Sequence, residues 1–358
     1  MSVPDTMCAM VTMGHGGMDK LVWHDHWPRP DPGPGEVLIK VGACGLNNTD
    51  INTRIGWYSK TVTGATDATG DLAEDDPSWG GAAIEFPRIQ GADICGKIVG
   101  LGPGVAADRL GERVISDCWL RDPGDPDNTE KSGYIGSERD GGFAEYVVLP
   151  SVNALAIRSD LTDAELATFS CSYSTAEGML TRVALGPDDT VLVTGASGGV
   201  GGALVQLAKR RGARVIGLAS EVKHADVAAL GADRVLPRAP QDLRAALGDD
   251  RVTVLADIVG GPAWPGLIEI LDRGGRYVCS GAIAGPIVEL DLRTLYLRDL
   301  TFHGSTVLPA EVMAALVGYI EAGEVRPALA ATYPLADLAA AQTAFMAKSH
   351  TGNIVVTP

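Results

Sequence analysis

Val191-Leu-Val-Thr-Gly-Ala-Ser-Gly-Gly-Val-Gly-Gly-Ala-Leu-Val-Gln-Leu-Ala-Lys209 decides the fold. It reads as a short buried strand, a glycine-rich turn and a helix, the arrangement that sets backbone N–H groups and a positive helix end against a pyrophosphate. The fingerprint is Ala196-x-Gly198-x-x-Gly201, with Ala in place of the first Gly. Ser197, Gly198, Gly199, Val200 and Gly201 are therefore the candidate phosphate-binding residues. Working outward, strand-like RVIGLA (214–219), helix-like VKHADVAALG (222–231) and strand-like RVLP (234–237) follow in alternation. Further strands fit Val252–Ile258, Gly275–Ser280 and Leu300–Gly304, and a helix fits Ala310–Ala322. Alternating βαβ units predict an α/β fold with a parallel sheet. The second strand ends at Ala219, where NAD-selective sites carry an acid for the ribose 2′-OH. Here Ser220 offers a donor and Lys223 a cation, with Glu221 partly offsetting it, so NADP(H) is the expected cofactor.

The half of the chain before this stretch reads differently. Glu36–Val41 alternates apolar and polar residues, and Ile94–Val99 and Arg113–Ser116 are short runs punctuated by Gly, which predicts mostly antiparallel β structure. Ser59–Pro87 and Asp117–Asp140, rich in Gly, Pro, Asp, Ser and Thr, read as long loops or insertions. The 358 residues suggest about two domains. A formal net charge of −16 repels phosphate backbones, so nucleic acid is not an expected partner. No apolar run approaches the roughly 18 residues of a membrane span. The N-terminal stretch shows neither a long apolar segment nor clustered Lys or Arg, so a cytoplasmic protein is expected. The six cysteines are far apart and read as reduced thiols.

The run Asp188-Asp189-x-x-Leu192-x-x-x-Ala196-Ser197-Gly198-Gly199-x-Gly201-x4-Gln206-x-x-Lys209 resembles the signature of the zinc-independent quinone oxidoreductase (zeta-crystallin-like) branch of the medium-chain dehydrogenases/reductases. Pro34–Val41, Gly111–Val114, Gly142–Tyr146, Leu230–Asp233 and Gly352–Val356 extend the resemblance over nearly the whole chain. It implies a GroES-like, β-rich catalytic domain (1–157 and 307–358) into which a doubly wound Rossmann domain (158–306) is inserted. It also implies a small-molecule substrate and a homodimer or homotetramer. Asn353 stands where the family carries Lys. Zinc-dependent relatives hold their metal from positions that read Asn47, Ala92 and Cys171 here, and one thiolate is too few for a catalytic zinc site. No metal ligand is therefore assigned.

By the same resemblance Asn47, Thr49, Asp50 and Tyr58 shape the substrate pocket or relay a proton, although Asn47–Asp50 also read as a helix cap. Tyr173 is a second candidate proton donor and equally a satisfied core hydroxyl. Thr175 matches the residue beside the nicotinamide, and Val259 and Ile283 lie at strand ends that face the cofactor or pack the core. Without zinc to polarise a simple ketone, a conjugated acceptor is the better substrate, because its charge spreads into an enolate or hydroquinone anion. The expected activity is NADPH-dependent hydride transfer to a quinone or α,β-unsaturated carbonyl. An alcohol or aldehyde dehydrogenase with a divergent metal site, and a non-enzymatic NADP(H)-binding protein, are the alternatives. The acidic 59–87 stretch, with Trp79, is expected to form a lid.

Overall fold

The computed structural model describes residues 3–66, 83–126 and 128–358, and these form two compact units. The first is drawn from the chain up to Val62, from the stretch ending at Cys171 and from Pro309–Pro358; the second from Ser172–Leu308 and a short piece starting at Thr63. The sequence reading changes domain at 157/158 and 306/307, whereas the compact units change at 171/172 and 308/309. Arg113 explains the first difference. Its guanidinium donates to Ser159 O (3.0 Å), Leu161 O (2.7 Å) and Asp163 Oδ1 (2.7 Å), tying the 159–163 segment to the β-rich unit. Most of the proposed lid, including Trp79, lies outside the described residues.

Along the chain the first unit contributes β1 (Thr6–Thr12), β2 (Leu21–Pro28), β3 (Glu36–Gly45), α1 (Asn48–Ile55), β4 (Asp93–Leu101), β5 (Arg113–Ser116), β6 (Trp119–Leu120), β7 (Gly133–Tyr134), β8 (Tyr146–Pro150), β9 (Ala154–Ala156) and α2 (Asp163–Leu166). Helix α3 (Ser170–Arg182) begins in the first unit. There follow β10 (Thr190–Val193), α4 (Gly199–Arg210), β11 (Arg214–Ala219), β12 (Arg234–Pro237), β13 (Val252–Asp257), β14 (Leu271–Cys279) and β15 (Thr301–Gly304) of the second unit, then β16 (Leu329–Pro334) and β17 (Asn353–Thr357) of the first.

The sheet of the first unit has the order β16-β17-β3-β4-β5-β9, with β8 also on β3, and only the β16–β17 pair is parallel. Its central strand β3 continues to Gly45, past the alternating Glu36–Val41, because bulges between Leu38/Ile39 and Val41/Ala43 reset the pairing with β4. The 117–140 stretch is not loop alone. It folds back as the hairpin β6–β7, with Trp119 and Tyr134 packed edge to face at 5.1 Å.

The sheet of the second unit is parallel throughout, with order β12-β11-β10-β13-β14-β15. Val191, Leu192 and Val193 of its central strand are fully buried, as a strand covered on both faces requires. One side of this sheet carries a cluster that includes Leu192, Leu218, Leu255, Trp264, Ile268 and Tyr277, each side chain worth roughly 1.5–3 kcal/mol of burial. Trp264, Tyr277 and Phe302 meet edge to face at 5.2–5.9 Å. The chain leaves β10 for β11 on one side and reaches β13 on the other, so the strand order reverses there. Ligands of open α/β sheets bind outside the carboxyl ends of the strands at such a point.

Candidate active site

In the second unit, the turn after β10 sits at that reversal. Gly195 has φ 60°, and a Cβ there would lie 3.3 Å from both Ile258 and Val259 side chains, so only a glycine turns the chain tightly against the end of β13. At Gly201 a Cβ would stand 2.1 Å from Gly195 O, inside the backbone of the same turn. Gly198 precedes α4 as its N-cap and supplies no side chain to the first turn, which leaves the leading N–H groups of a twelve-residue helix to an anion. Ser197–Val200 are partly exposed there. These features fit a dinucleotide pyrophosphate. Ala196, at the first fingerprint position, is buried, and its N–H donates to Leu218 O (3.1 Å).

Asp257, which the sequence reading did not single out, organises the neighbouring loop. It is fully buried, and Oδ1 accepts from Thr194 Oγ1 (2.6 Å), Val259 N (2.9 Å) and Gly260 N (3.2 Å) while Oδ2 accepts from Tyr277 Oη (3.1 Å). Four donors on one buried carboxylate fix the segment that carries Val259. Ala284 N donates to Val259 O (2.8 Å), which places the Ile283 loop beside it. At the end of β11, Ser220 opens a short 3-10 turn in which Lys223 N donates to Ser220 O (2.9 Å), and Lys223 is 8% exposed. Thr175 is half-buried on α3. Tyr173, on the same helix, is 1% exposed and accepts from Gln206 Nε2 of α4 (2.8 Å), the arrangement of a satisfied core hydroxyl.

In the first unit the structure brings Asn47, Thr49, Asp50 and Tyr58 together at α1. Asn47 is the N-cap, and its N–H donates to Asp50 Oδ2 (2.7 Å), so the capping pattern seen in the sequence is present. The same side chains also do more than cap. The Asn47 amide lies beside the Asp93 carboxyl and helps hold its pKa down, and the Tyr58 hydroxyl is hydrogen-bonded to Thr49 and Asn52. Asp93 is the principal residue that sequence reasoning missed. It follows Ala92, and it is buried with Oδ1 accepting from Cys171 N (2.6 Å) and from the Cys118 thiol (3.6 Å). Tyr134 of β7 lies close enough to Cys118 and Cys171 to interact with both, so the 117–140 hairpin supplies part of this cluster. A carboxyl after an alanine carries no pattern of its own; only its place next to Ala92, at the position of a metal ligand in zinc-dependent relatives, could have pointed to it.

Burial dominates the electrostatics here. It pushes Asp50 and Asp93 each up to about 7, with the charge of Asp93 raising Asp50 further and hydrogen bonds from Asn47 holding both down. It drives the Tyr58 and Tyr134 phenols and the Cys118 thiol well above their ordinary range, so these groups are neutral at neutral pH. An amide at 47 and a methyl at 92 are not zinc donors. Among the described residues no three His, Cys, Asp or Glu side chains converge to hold a metal ion. The cluster is instead a set of neutral hydroxyl and amide donors around two carboxyls that titrate near neutrality. Asn353, buried in β17, belongs to this unit, and its N–H donates to Ala328 O (2.7 Å). No helix among the described residues is long and apolar enough to cross a membrane.

Comparisons with known proteins agree with this architecture. Residues 33–159 match the alcohol dehydrogenase GroES-like domain, and residues 230–356 match the zinc-binding dehydrogenase family. A solved chain from Sinorhizobium meliloti 1021, described as an alcohol dehydrogenase, is 46% identical with a TM-score of 0.91, covering 99% of this chain and 98% of that one. Acryloyl-coenzyme A reductase of Metallosphaera sedula is 27% identical, over 92% of this chain and 94% of its own. The chloroplastic NADPH-dependent alkenal/one oxidoreductase of Arabidopsis thaliana is 26% identical, over 100% of this chain and 81% of its own. With a glycine-rich turn at the reversal of a parallel sheet in one unit and a GroES-like sheet in the other, the chain belongs to the medium-chain dehydrogenase/reductase superfamily of oxidoreductases.

Proposed function

We propose that this protein is a zinc-independent, NADPH-dependent reductase that transfers hydride to a quinone or an α,β-unsaturated carbonyl. The observation that carries the reading is the donor set around α1: Asn47 and Ala92 at the positions of metal ligands, with Tyr58, Thr49 and Asn52 joined by hydrogen bonds beside them. NADPH, when bound, supplies the hydride. Ser197–Gly201 hold its pyrophosphate and Thr175, Val259 and Ile283 border the nicotinamide, while Ser220 and Lys223 favour the phosphorylated ribose.

Asn47 orients the acceptor's oxygen, and Tyr58 hydrogen-bonds to the oxyanion that develops there. Thr49 and Asn52 hold the Tyr58 hydroxyl, so its proton is aimed and available when the enolate or hydroquinone anion is neutralised. A conjugated acceptor suits such neutral donors, because its charge is already delocalised. The Metallosphaera and Arabidopsis relatives are named for conjugated acceptors, which supports the reading. NADPH oxidation followed at 340 nm against quinones, enones and simple aldehydes tests it. Turnover of the conjugated acceptors is expected, and turnover of aldehydes alone would favour the alcohol dehydrogenase alternative. Tyr58→Phe is expected to lower kcat by about ten- to a hundred-fold with little change in NADPH affinity. An unchanged kcat would remove Tyr58 from proton transfer.

The chain works as a homodimer, or as a tetramer built from it, through the β15 end of its parallel sheet. β15 is the last strand of that sheet among the described residues, and Ile287, Leu292, Tyr296 and Leu297, on the segment leading to it, are 68%, 64%, 61% and 56% exposed. Apolar side chains in such a band beside a sheet edge mark an interaction surface. Leu292→Glu combined with Leu297→Glu is expected to yield a monomer by light scattering. A dimer that survives both charges would place the interface elsewhere.

A further inference from the structure

We propose that Cys118 and Cys171 form a redox-sensitive modification site: a hydroperoxide oxidises them to a disulfide that stops turnover until a thiol reductant reopens it. Formation of the bond is independent of the reaction proposed above, and only its effect on turnover rests on that reading. Asp93 carries the assignment. Its Oδ1 accepts from Cys118 Sγ (3.6 Å) and from Cys171 N (2.6 Å), so two cysteines from distant parts of the chain, both in the first unit, meet at one oxygen. Tyr134 stands close enough to interact with both. Burial first, then the charge of Asp93 and then that of Cys171 push the Cys118 thiol up, so the two sulfurs are neighbours. Cysteine side chains are short, and a bond of about 2.05 Å forms when two such neighbours turn toward each other.

The other four cysteines are engaged elsewhere. Cys44 Sγ is packed against Gly91 and Gly142, 2.8 and 3.0 Å from where a Cβ on each would stand. Cys95 donates to Asp163 Oδ1 (3.5 Å), Cys8 to Asp25 O (3.9 Å) and Cys279 to Gly281 O (3.3 Å). Cys171 is partly exposed and Cys118 is buried, which orders the steps. The hydroperoxide's O–O bond breaks as its terminal oxygen passes to the Cys171 sulfur, leaving a sulfenic acid and an alcohol or water. The Cys118 sulfur then attacks the Cys171 sulfur: the S–S bond forms, the S–O bond breaks, and the Cys118 proton passes through Asp93 Oδ1 to the departing hydroxide as water. Two thiols have then lost two electrons and the hydroperoxide has gained them. The new bond draws Cys118 Sγ away from Asp93, so the carboxyl beside Asn47 loses a donor and the cluster around it is rearranged.

Treatment of the whole wild-type protein with hydrogen peroxide, followed by non-reducing tryptic mapping and assay, tests this. The tryptic peptides 114–121 and 159–182, which carry Cys118 and Cys171, are expected to appear joined and lighter by two hydrogens, and to separate with dithiothreitol. NADPH-dependent turnover of an enone is expected to fall by about ten-fold or more as the joined peptide accumulates, and to return with dithiothreitol. Cys118→Ser leaves Cys171 without its partner, so the same peroxide should carry Cys171 on to the sulfinic acid, which dithiothreitol does not reverse. Wild-type protein in which Cys171 reaches the sulfinic acid while Cys118 stays a thiol, in which another pair of cysteines is joined, or in which neither thiol reacts overturns the site. Joined protein that turns over as fast as untreated enzyme overturns its regulatory effect. The mapping reads the bond without any turnover, so an untreated enzyme that reduces no conjugated acceptor counts against the proposed reaction and leaves the site to be judged by its peptides.

Discussion

Gly201→Ala is expected to abolish cofactor binding while leaving the first unit folded. The added Cβ would stand 2.1 Å from Gly195 O and 2.7 Å from Gly195 C, and both are backbone atoms that no rotamer change can move. Either the turn opens or α4 is displaced along its axis. In both cases the N–H groups of the first turn no longer converge on one point. Losing two charge-assisted hydrogen bonds of about 2 kcal/mol each corresponds to roughly a thousand-fold in Kd for NADPH. Gly198→Ala is the control: a Cβ there lies 3.5 Å from its nearest neighbour, ordinary contact, so its effect should be far smaller. Fluorescence titration with NADPH reads both variants. Near-wild-type affinity for Gly201→Ala would show that the turn has slack that its close backbone packing denies.

The second large effect concerns pH. Asp50 and Asp93 are fully buried and titrate at about 7 in the folded protein, well above the ordinary carboxylate value of 3.8 that applies to the unfolded chain. Between these values the folded state binds protons that the unfolded state has released, so stability falls as pH rises. The contribution is fully present below about 3.8 and is lost by the time pH passes about 7. Asp50→Asn and Asp93→Asn keep a hydrogen-bond acceptor at each site and remove the titration. Scanning calorimetry at pH 5, 6.5 and 8 is expected to show wild-type Tm declining through this window, with a shallower decline in each variant and a stability advantage for the variants at pH 8. A wild-type Tm that rises from pH 5 to 8, or variants that keep the full slope, would contradict the assignment of two neutralised buried carboxyls.

The parts of this molecule that were legible in the sequence are those whose signal is local. Arg113–Ser116, Arg214–Ala219 and Arg234–Pro237 are strands with the bounds their residues suggest, because each is a short β-branched or apolar run closed off by polar or turn residues. The helical reading over 222–231 is shorter in the structure, a 3-10 turn at Glu221–Lys223 and then His224–Ala229, since Gly231 adopts φ 111° and ends the run. β14 begins at Leu271, ahead of the expected Gly275, because Leu271 pairs with Val252 across a register shift that no single-strand pattern reveals. The two-residue strands β6 and β7 have no period to read at all, and so 117–140 looked like loop.

The site divides in the same way. The glycine turn and the Asn47–Asp50 cap announce themselves by residue type. Asp93, Asp257 and Tyr134 do not, because each draws its place in the structure from a partner far along the chain: Cys171, Thr194 and Cys118 respectively.

The central claim, that a cluster of neutral hydroxyl and amide donors around α1 serves reduction without zinc, is tested most directly by elemental analysis and assay of the same chelator-treated sample. The account predicts kcat/KM for an enone within about two-fold of the untreated enzyme, in protein that holds no stoichiometric zinc. Activity that disappears with one zinc per chain and returns when zinc is restored would contradict it.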